Sequence, residues 1–216
     1  MKTTPTAAEC EQLWEQYHTP ANVREHMRLV RDIAVWTGRE LVAMRGEVID
    51  LQLVQAGALL HDFVRFVGMT QINLNYFSTA PSAEDFQVWR ALGLKYPDSN
   101  HAQAAGLELR ELGYSEALVR VVERHDYAKI IDPAGGPQTR EEQLVFYADK
   151  RVVHRTIVTL AERFADGEVR YPEYAGRADE QLKRAAIYEL ERELFSGLAI
   201  DPDLLGDTIQ GPQVVN

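Results

Sequence analysis

Hydrophobic residues recur at helical spacing over most of the chain. After Thr19-Pro20, which reads as a cap followed by proline at the first helical position, Val23, Met27, Val30, Ala34 and Leu41 form one apolar stripe. A second helix is predicted from about Asp50 to Phe66, with Leu51, Val54, Ala58 and Leu59 turned inward and His61-Asp62 near its end. Periodicity fails from Val67 to Pro81, a segment rich in Gly, Asn, Ser and Thr of the kind that often carries function in compact domains. Ser82 with Asp85 predicts a capping box for the next helix, and Asp98 or Ser99 a cap for a helix carrying His101 and stopping at Gly113. Ser115 caps a further helix ending near His125. Thr139 with Glu142 opens a long helix expected from Arg140 to about Ala165, and a last helix spans about Arg177 to Phe195. The few candidate strands, such as Glu168 to Tyr171, are too short for a parallel sheet, so the fold class is all-α.

Composition narrows the function. With 216 residues and 45% hydrophobic content the chain has ample core, and one domain over 1–216 is expected. A net charge of −10 opposes binding to a nucleic-acid polymer. The single cysteine, Cys10, is placed in a flexible N-terminal region and forms no internal disulfide. No apolar run approaches the roughly 20 residues of a membrane helix, the N-terminus lacks a signal-peptide pattern, and the cytoplasm is the expected compartment. Neither common glycine-rich phosphate loop is present, and no Gly-x-Ser-x-Gly elbow supports triad chemistry.

Metal chemistry remains. His26, His61, Asp62, His101, His125 and Asp149 are residue types that hold divalent first-row cations. Adjacent helical residues project about 100° apart, so His61 and Asp62 can reach one small volume from the same turn. His26, His61 and Asp149 would hold a first metal, and His101 and His125 a second, with Asp62 as the shared carboxylate. Each residue also has an ordinary reading: His26 as a core-edge histidine, His125 as a helix-end residue favoured by the dipole, Asp149 as the partner of Lys150 or Arg151. Asp126 reads as a capping residue or an acceptor orienting His125, and His18 and His154 as structural. The stripe Val152, Thr156, Ile157 and Leu160 reads as core.

The pieces Val23-Arg24-Glu25-His26, Leu59-Leu60-His61-Asp62, Asn100-His101-Ala102, Glu123-Arg124-His125 and Tyr147-Ala148-Asp149-Lys150 give the chain a resemblance to the HD-domain metal-dependent phosphohydrolases. The resemblance covers about residues 19–160, leaving a helical extension over about 166–216. The two additional histidines make it similar to the binuclear branch and to bacterial HD-domain dinucleoside tetraphosphatases. It implies an all-α bundle with the metal site between helices and two divalent ions, iron or manganese favoured over zinc, cobalt or nickel. It implies hydrolysis of a small phosphorylated substrate, a nucleotide or dinucleoside polyphosphate, by metal-activated water. Asp62 and Asp149 would serve the reaction, and Arg65, standing where related sequences place a lysine, would contact phosphate or else make a salt bridge. Tyr76 and Phe77 are expected to stack on a base. The same ligand set serves HD-fold diiron oxygenases, and a non-catalytic nucleotide sensor is the other alternative.

Overall fold

The protein is an all-α bundle in a computed structural model that describes residues 2–67, 74 and 77–211. The helices are α1 Ala7–Gln16, α2 Ala21–Arg45, α3 Leu51–Leu60, α4 Ala83–Lys95, α5 His101–Glu111, α6 Glu116–Glu123, α7 Arg140–Lys150, α8 Leu160–Arg170, α9 Ala178–Phe195 and α10 Leu205–Gln210. A two-residue antiparallel hairpin, β1 Val152–Val153 with β2 Thr156–Ile157, separates α7 from α8 and pairs Val152 with Ile157.

The most apolar helix, α3, is enclosed by α1, α2, α6 and α7. Along α2, Val23, Met27, Val30, Ala34 and Leu41 are all buried, and the helix stops at Gly46, whose φ of 65° is left-handed. Trp14 of α1 donates its indole N–H to the Leu59 carbonyl at 2.7 Å, fixing α1 against the end of α3. Small residues let helices approach at one point in particular. A Cβ on Gly57 of α3 would stand 2.2 Å from Val121 Cγ1 of α6, and valine cannot rotate away cheaply. Gly57→Ala is therefore expected to destabilise the fold by about 1–3 kcal/mol through overpacking, read as a lower urea midpoint with unchanged slope.

Several expected boundaries move. Pro20, not Thr19, occupies the cap of α2, because the buried Thr19 hydroxyl donates instead to the Phe63 carbonyl at 2.8 Å. Helix α3 ends at Leu60, and residues 61–67 continue as turns, so His61 and Asp62 follow the helix instead of lying on it. Asn100, not Asp98 or Ser99, caps α5 and forms a box with Gln103. Cys10 is fully buried in α1, and burial pushes its thiol up to about 12.

The expected helix from Arg140 to Ala165 is two helices. Arg151 leaves the helical path, His154 turns the hairpin at φ 53°, and Thr159 with Glu162 forms a second capping box that starts α8. Val152, Ile157 and Leu160 are core, whereas Thr156 is exposed. Glu168 to Tyr171 is the end of α8 and its cap. The boxes at Ser82 and Thr139, the cap at Ser115 and the helix ending at Phe195 stand where the sequence placed them.

Candidate metal centre

Six side chains from five parts of the chain converge between the helices. His26, His61 and Asp149 form one cluster, and Asp62, His101 and His125 a second; in each, the potential ligand atoms lie within 4.8 Å of one another. His26 comes from the second turn of α2, His101 is the first residue of α5, and Asp149 is next to last in α7. His61 follows α3, and His125 follows α6 by two residues.

The local backbone aims the rings. His61 Nδ1 donates to the Ala58 carbonyl at 2.8 Å, and His125 Nδ1 to the Val122 carbonyl at 2.5 Å, each reaching back to an unpaired helix-end carbonyl. Those bonds leave Nε2 of both rings facing the clusters, the arrangement in which a neutral imidazole ligates through its other nitrogen. Asp126 does not orient His125. Its carboxylate caps the short 3-10 turn at Tyr127–Lys129 and accepts from Asn100 Nδ2 at 2.9 Å.

Asp62 lies between the clusters. Its Oδ1 is 3.2 Å from His101 Nε2 and 3.4 Å from His125 Nε2, while Oδ2 is 3.8 Å from His61 Nε2. Asp149 Oδ1 is 3.0 Å from His26 Nε2 and 3.5 Å from His61 Nε2. Both His61 Nε2 and Asp62 Oδ1 are buried without a hydrogen-bond partner among the described residues. Orphaned buried acceptors are costly, and a shared divalent cation is what a set of imidazole nitrogens and carboxylate oxygens satisfies best. The residues fit two metal ions.

The electrostatics agree. Burial opposes ionisation of Asp62, but Arg65, His61 and His101 overcome it and hold its carboxyl well below the usual range. Burial likewise opposes charge on Asp149, and Lys150, His26 and His61 reverse the balance. Burial, with Arg65 and His125 beside it, pushes His101 down to about 4 despite the Asp62 carboxylate, so this ring is neutral, the form in which an imidazole ligates. At His61 burial disfavours the charged ring, but Asp62 and Asp149 outweigh it and raise its pKa. A cation at the clusters would replace the proton there.

Lys150, one of the two cations that the sequence offers as partners of Asp149, is buried. Its Nζ donates to Asp149 Oδ2 at 2.5 Å and to the His125 carbonyl at 3.1 Å, so one ammonium ties a residue of each cluster together. Lys150→Met keeps the stem and removes both bonds. Metal affinity is expected to fall about 10–100-fold with the fold intact, as for loss of an outer-shell partner, measurable by competition with a chelating dye.

The clusters open into a cavity of about 850 Å³. Arg65 stands in it one turn beyond Asp62, with Nη1 2.7 Å from His101 Nε2 and its Nε 3.7 Å from Asp62 Oδ2. Phe77 and Ser78 form part of its wall, and Phe77 is stacked on Phe66 with ring centroids 5.3 Å apart and on Trp89 at 5.5 Å. Tyr76 lies outside the described residues. His18 is paired with Asp85 at 2.7 Å away from the site, as its structural reading required, whereas His154 faces the cavity.

A family model described as the HD domain matches residues 23–152, which include all six clustered residues. No curated protein and no solved structure matches the chain.

Proposed function

This chain belongs to the HD-domain family, and from that premise we propose that it is a metal-dependent phosphohydrolase acting on a small phosphorylated substrate, a nucleotide or dinucleoside polyphosphate. The observation that carries the reading is the pair of buried His/Asp clusters, with their orphaned His61 and Asp62 atoms, opening into the cavity that also holds Arg65. His26, His61 and Asp149 would hold one ion, His101 and His125 the other, and Asp62 would be shared; iron or manganese suits this nitrogen and oxygen set. When bound, such ions supply Lewis acidity and lower the pKa of water.

The protein's own side chains do the rest. The ionised Asp62 and Asp149 hold the ligand rings in register, and Lys150 fixes the Asp149 carboxylate so that its Oδ1 can orient the attacking water. Arg65 offsets negative charge developing on the phosphoryl oxygens, for which a guanidinium is well shaped. Water oxygen bonds to phosphorus as the bond to the leaving oxygen breaks, and the net reaction moves one water proton to that oxygen. Phe77 offers an aromatic wall for a base, with Tyr76 as the second candidate. Residues beyond 152 are read as an extension of the same domain.

The test is elemental analysis of protein purified without added metal, then assays under anaerobic conditions across nucleotides, dinucleoside polyphosphates and phosphomonoesters. Hydrolysis needs no change of oxidation state, so product should form without O₂, with manganese or cobalt able to replace iron. Strict dependence on O₂ and iron would assign a diiron oxygenase instead. Tight nucleotide binding without turnover would assign a sensor.

A further inference from the structure

The outer wall of the cavity is built by a part of the chain that lies beyond the family match. Residues 154–171, comprising the hairpin turn and α8, bring His154, Arg155, Arg163, Arg170 and Tyr171 to the same cavity as the metal clusters. Among the described residues the cavity is lined by five lysine or arginine side chains (Arg65, Lys150, Arg155, Arg163 and Arg170) against three carboxylates, of which Asp62 and Asp149 belong to the clusters. Glu25 and Asp166, which pair with arginines of the wall, balance that sum, so the positive excess is local to Arg163 and Arg170, two guanidinium groups beside one carboxylate. Such a concentration of one sign within a cleft selects ligands of the other.

Of the wall arginines, Arg163 and Arg170 keep charge to spare. Arg155 faces Glu25 at 3.4 Å, and Arg163 lies 3.9 Å from Asp166 Oδ2, which also pairs with Arg170. Two guanidinium groups one helical stretch apart therefore share one carboxylate. Partly exposed pairs of this kind are weak, and a guanidinium exchanges one readily for a bidentate phosphate contact. A phosphomonoester would occupy the clusters and Arg65 and leave this wall without a charge partner from the ligand.

Resting on the phosphohydrolase reading, we propose that Arg163 and Arg170 form a second anion subsite, which takes a phosphate group other than the one at the metal clusters. The preferred substrate is accordingly a molecule with two or more linked phosphates, and simple phosphomonoesters are poor ligands. Neither arginine touches the reacting phosphate; both determine specificity.

The test is calorimetric titration of the full-length protein, carrying the metals with which it is purified, with inorganic tripolyphosphate and separately with inorganic phosphate. Arg163→Gln with Arg170→Gln is expected to weaken tripolyphosphate binding about 10–100-fold, the worth of one or two charge-assisted contacts, and to leave phosphate binding and metal content unchanged. Arg163→Lys with Arg170→Lys keeps the charge and should retain most of the tripolyphosphate affinity, and the single variants Arg163→Gln and Arg170→Gln, each expected to lose part of it with phosphate binding unchanged, carry the test should the double glutamine variant fold poorly. Tripolyphosphate binding that is absent in the unaltered protein, indifferent to the glutamine substitutions, or weakened in parallel with phosphate overturns the proposal. Because binding is read without turnover, the outcomes separate: differential binding with no hydrolysis of any ester removes the hydrolase reading alone, and hydrolysis with indifferent binding removes the subsite alone.

Discussion

Asp62→Ala is expected to deprive the protein of both metals, and with them about 10³-fold or more of any phosphohydrolase activity, since metal assistance is worth several kcal/mol at about 1.36 kcal/mol per decade. The reason is its position. Asp62 is the carboxylate whose two oxygens face different clusters, Oδ1 toward His101 and His125 and Oδ2 toward His61. Its loss removes a ligand from both sides at once. His101→Ala should behave differently, costing the Asp62/His125 side preferentially while His26, His61 and Asp149 keep an ion. Asp126→Ala is the control, because that carboxylate caps a turn and touches neither cluster. Metal-to-protein ratios by elemental analysis decide the matter. Two tightly retained ions in Asp62→Ala would sink the bridging role, and equal loss of both ions in His101→Ala would point to one coupled site.

The largest stability effect is expected at Arg151. This side chain is fully buried, and its guanidinium donates to Glu191 Oε2 at 2.9 Å, to the Tyr147 hydroxyl, to the Val158 carbonyl at 2.6 Å and to the Pro202 carbonyl at 2.7 Å. It thereby joins the end of α7 to α9, to the strand hairpin and to the turn before α10. Arg151→Ala leaves Glu191 buried without its cation and should cost about 3–5 kcal/mol in urea unfolding. Arg151→Met with Glu191→Leu should recover most of that loss, because no lone charge remains.

The pH dependence has a definite sign. Burial already pushes the Glu191 carboxyl above its ordinary value, against the opposing pull of Tyr147 and Arg151. Without Arg151 it rises further. An acid whose pKa is raised by folding gains stability as pH falls, so the deficit of Arg151→Ala should shrink as pH drops through that raised pKa. A deficit that stays constant between neutral and mildly acidic pH would mean that Glu191 finds another cation. Asp149 lies two residues away, and loosening this anchor should also reduce metal affinity.

Where local chemistry settles a conformation, the sequence was sufficient. Capping boxes at Ser82 and Thr139 and the cap at Ser115 are short-range hydrogen bonds between residues three apart, and α2 follows an apolar stripe whose period needs no partner to be read. The second box at Thr159 and Glu162 is equally local, and it is what divides α8 from α7. The six clustered residues could be picked out because imidazole and carboxylate side chains in that order resemble the HD domain. They gather in two His/Asp clusters, consistent with a binuclear metal site.

Only the tertiary structure decided what depends on distant groups. Thr19 abandons its cap because packing brings the Phe63 carbonyl within 2.8 Å, a contact 44 residues away. Lys150 reads as a solvated helix residue until α6 places the His125 carbonyl beside it. His154, Arg163 and Arg170 carry no motif, and their shared cavity arises because a left-handed turn at His154 redirects the chain into α8. Hydrogen bonds between neighbours are encoded in a few consecutive letters, whereas the orphaned Nε2 of His61 and the charge of the cavity wall exist only once helices far apart in sequence exclude water between them.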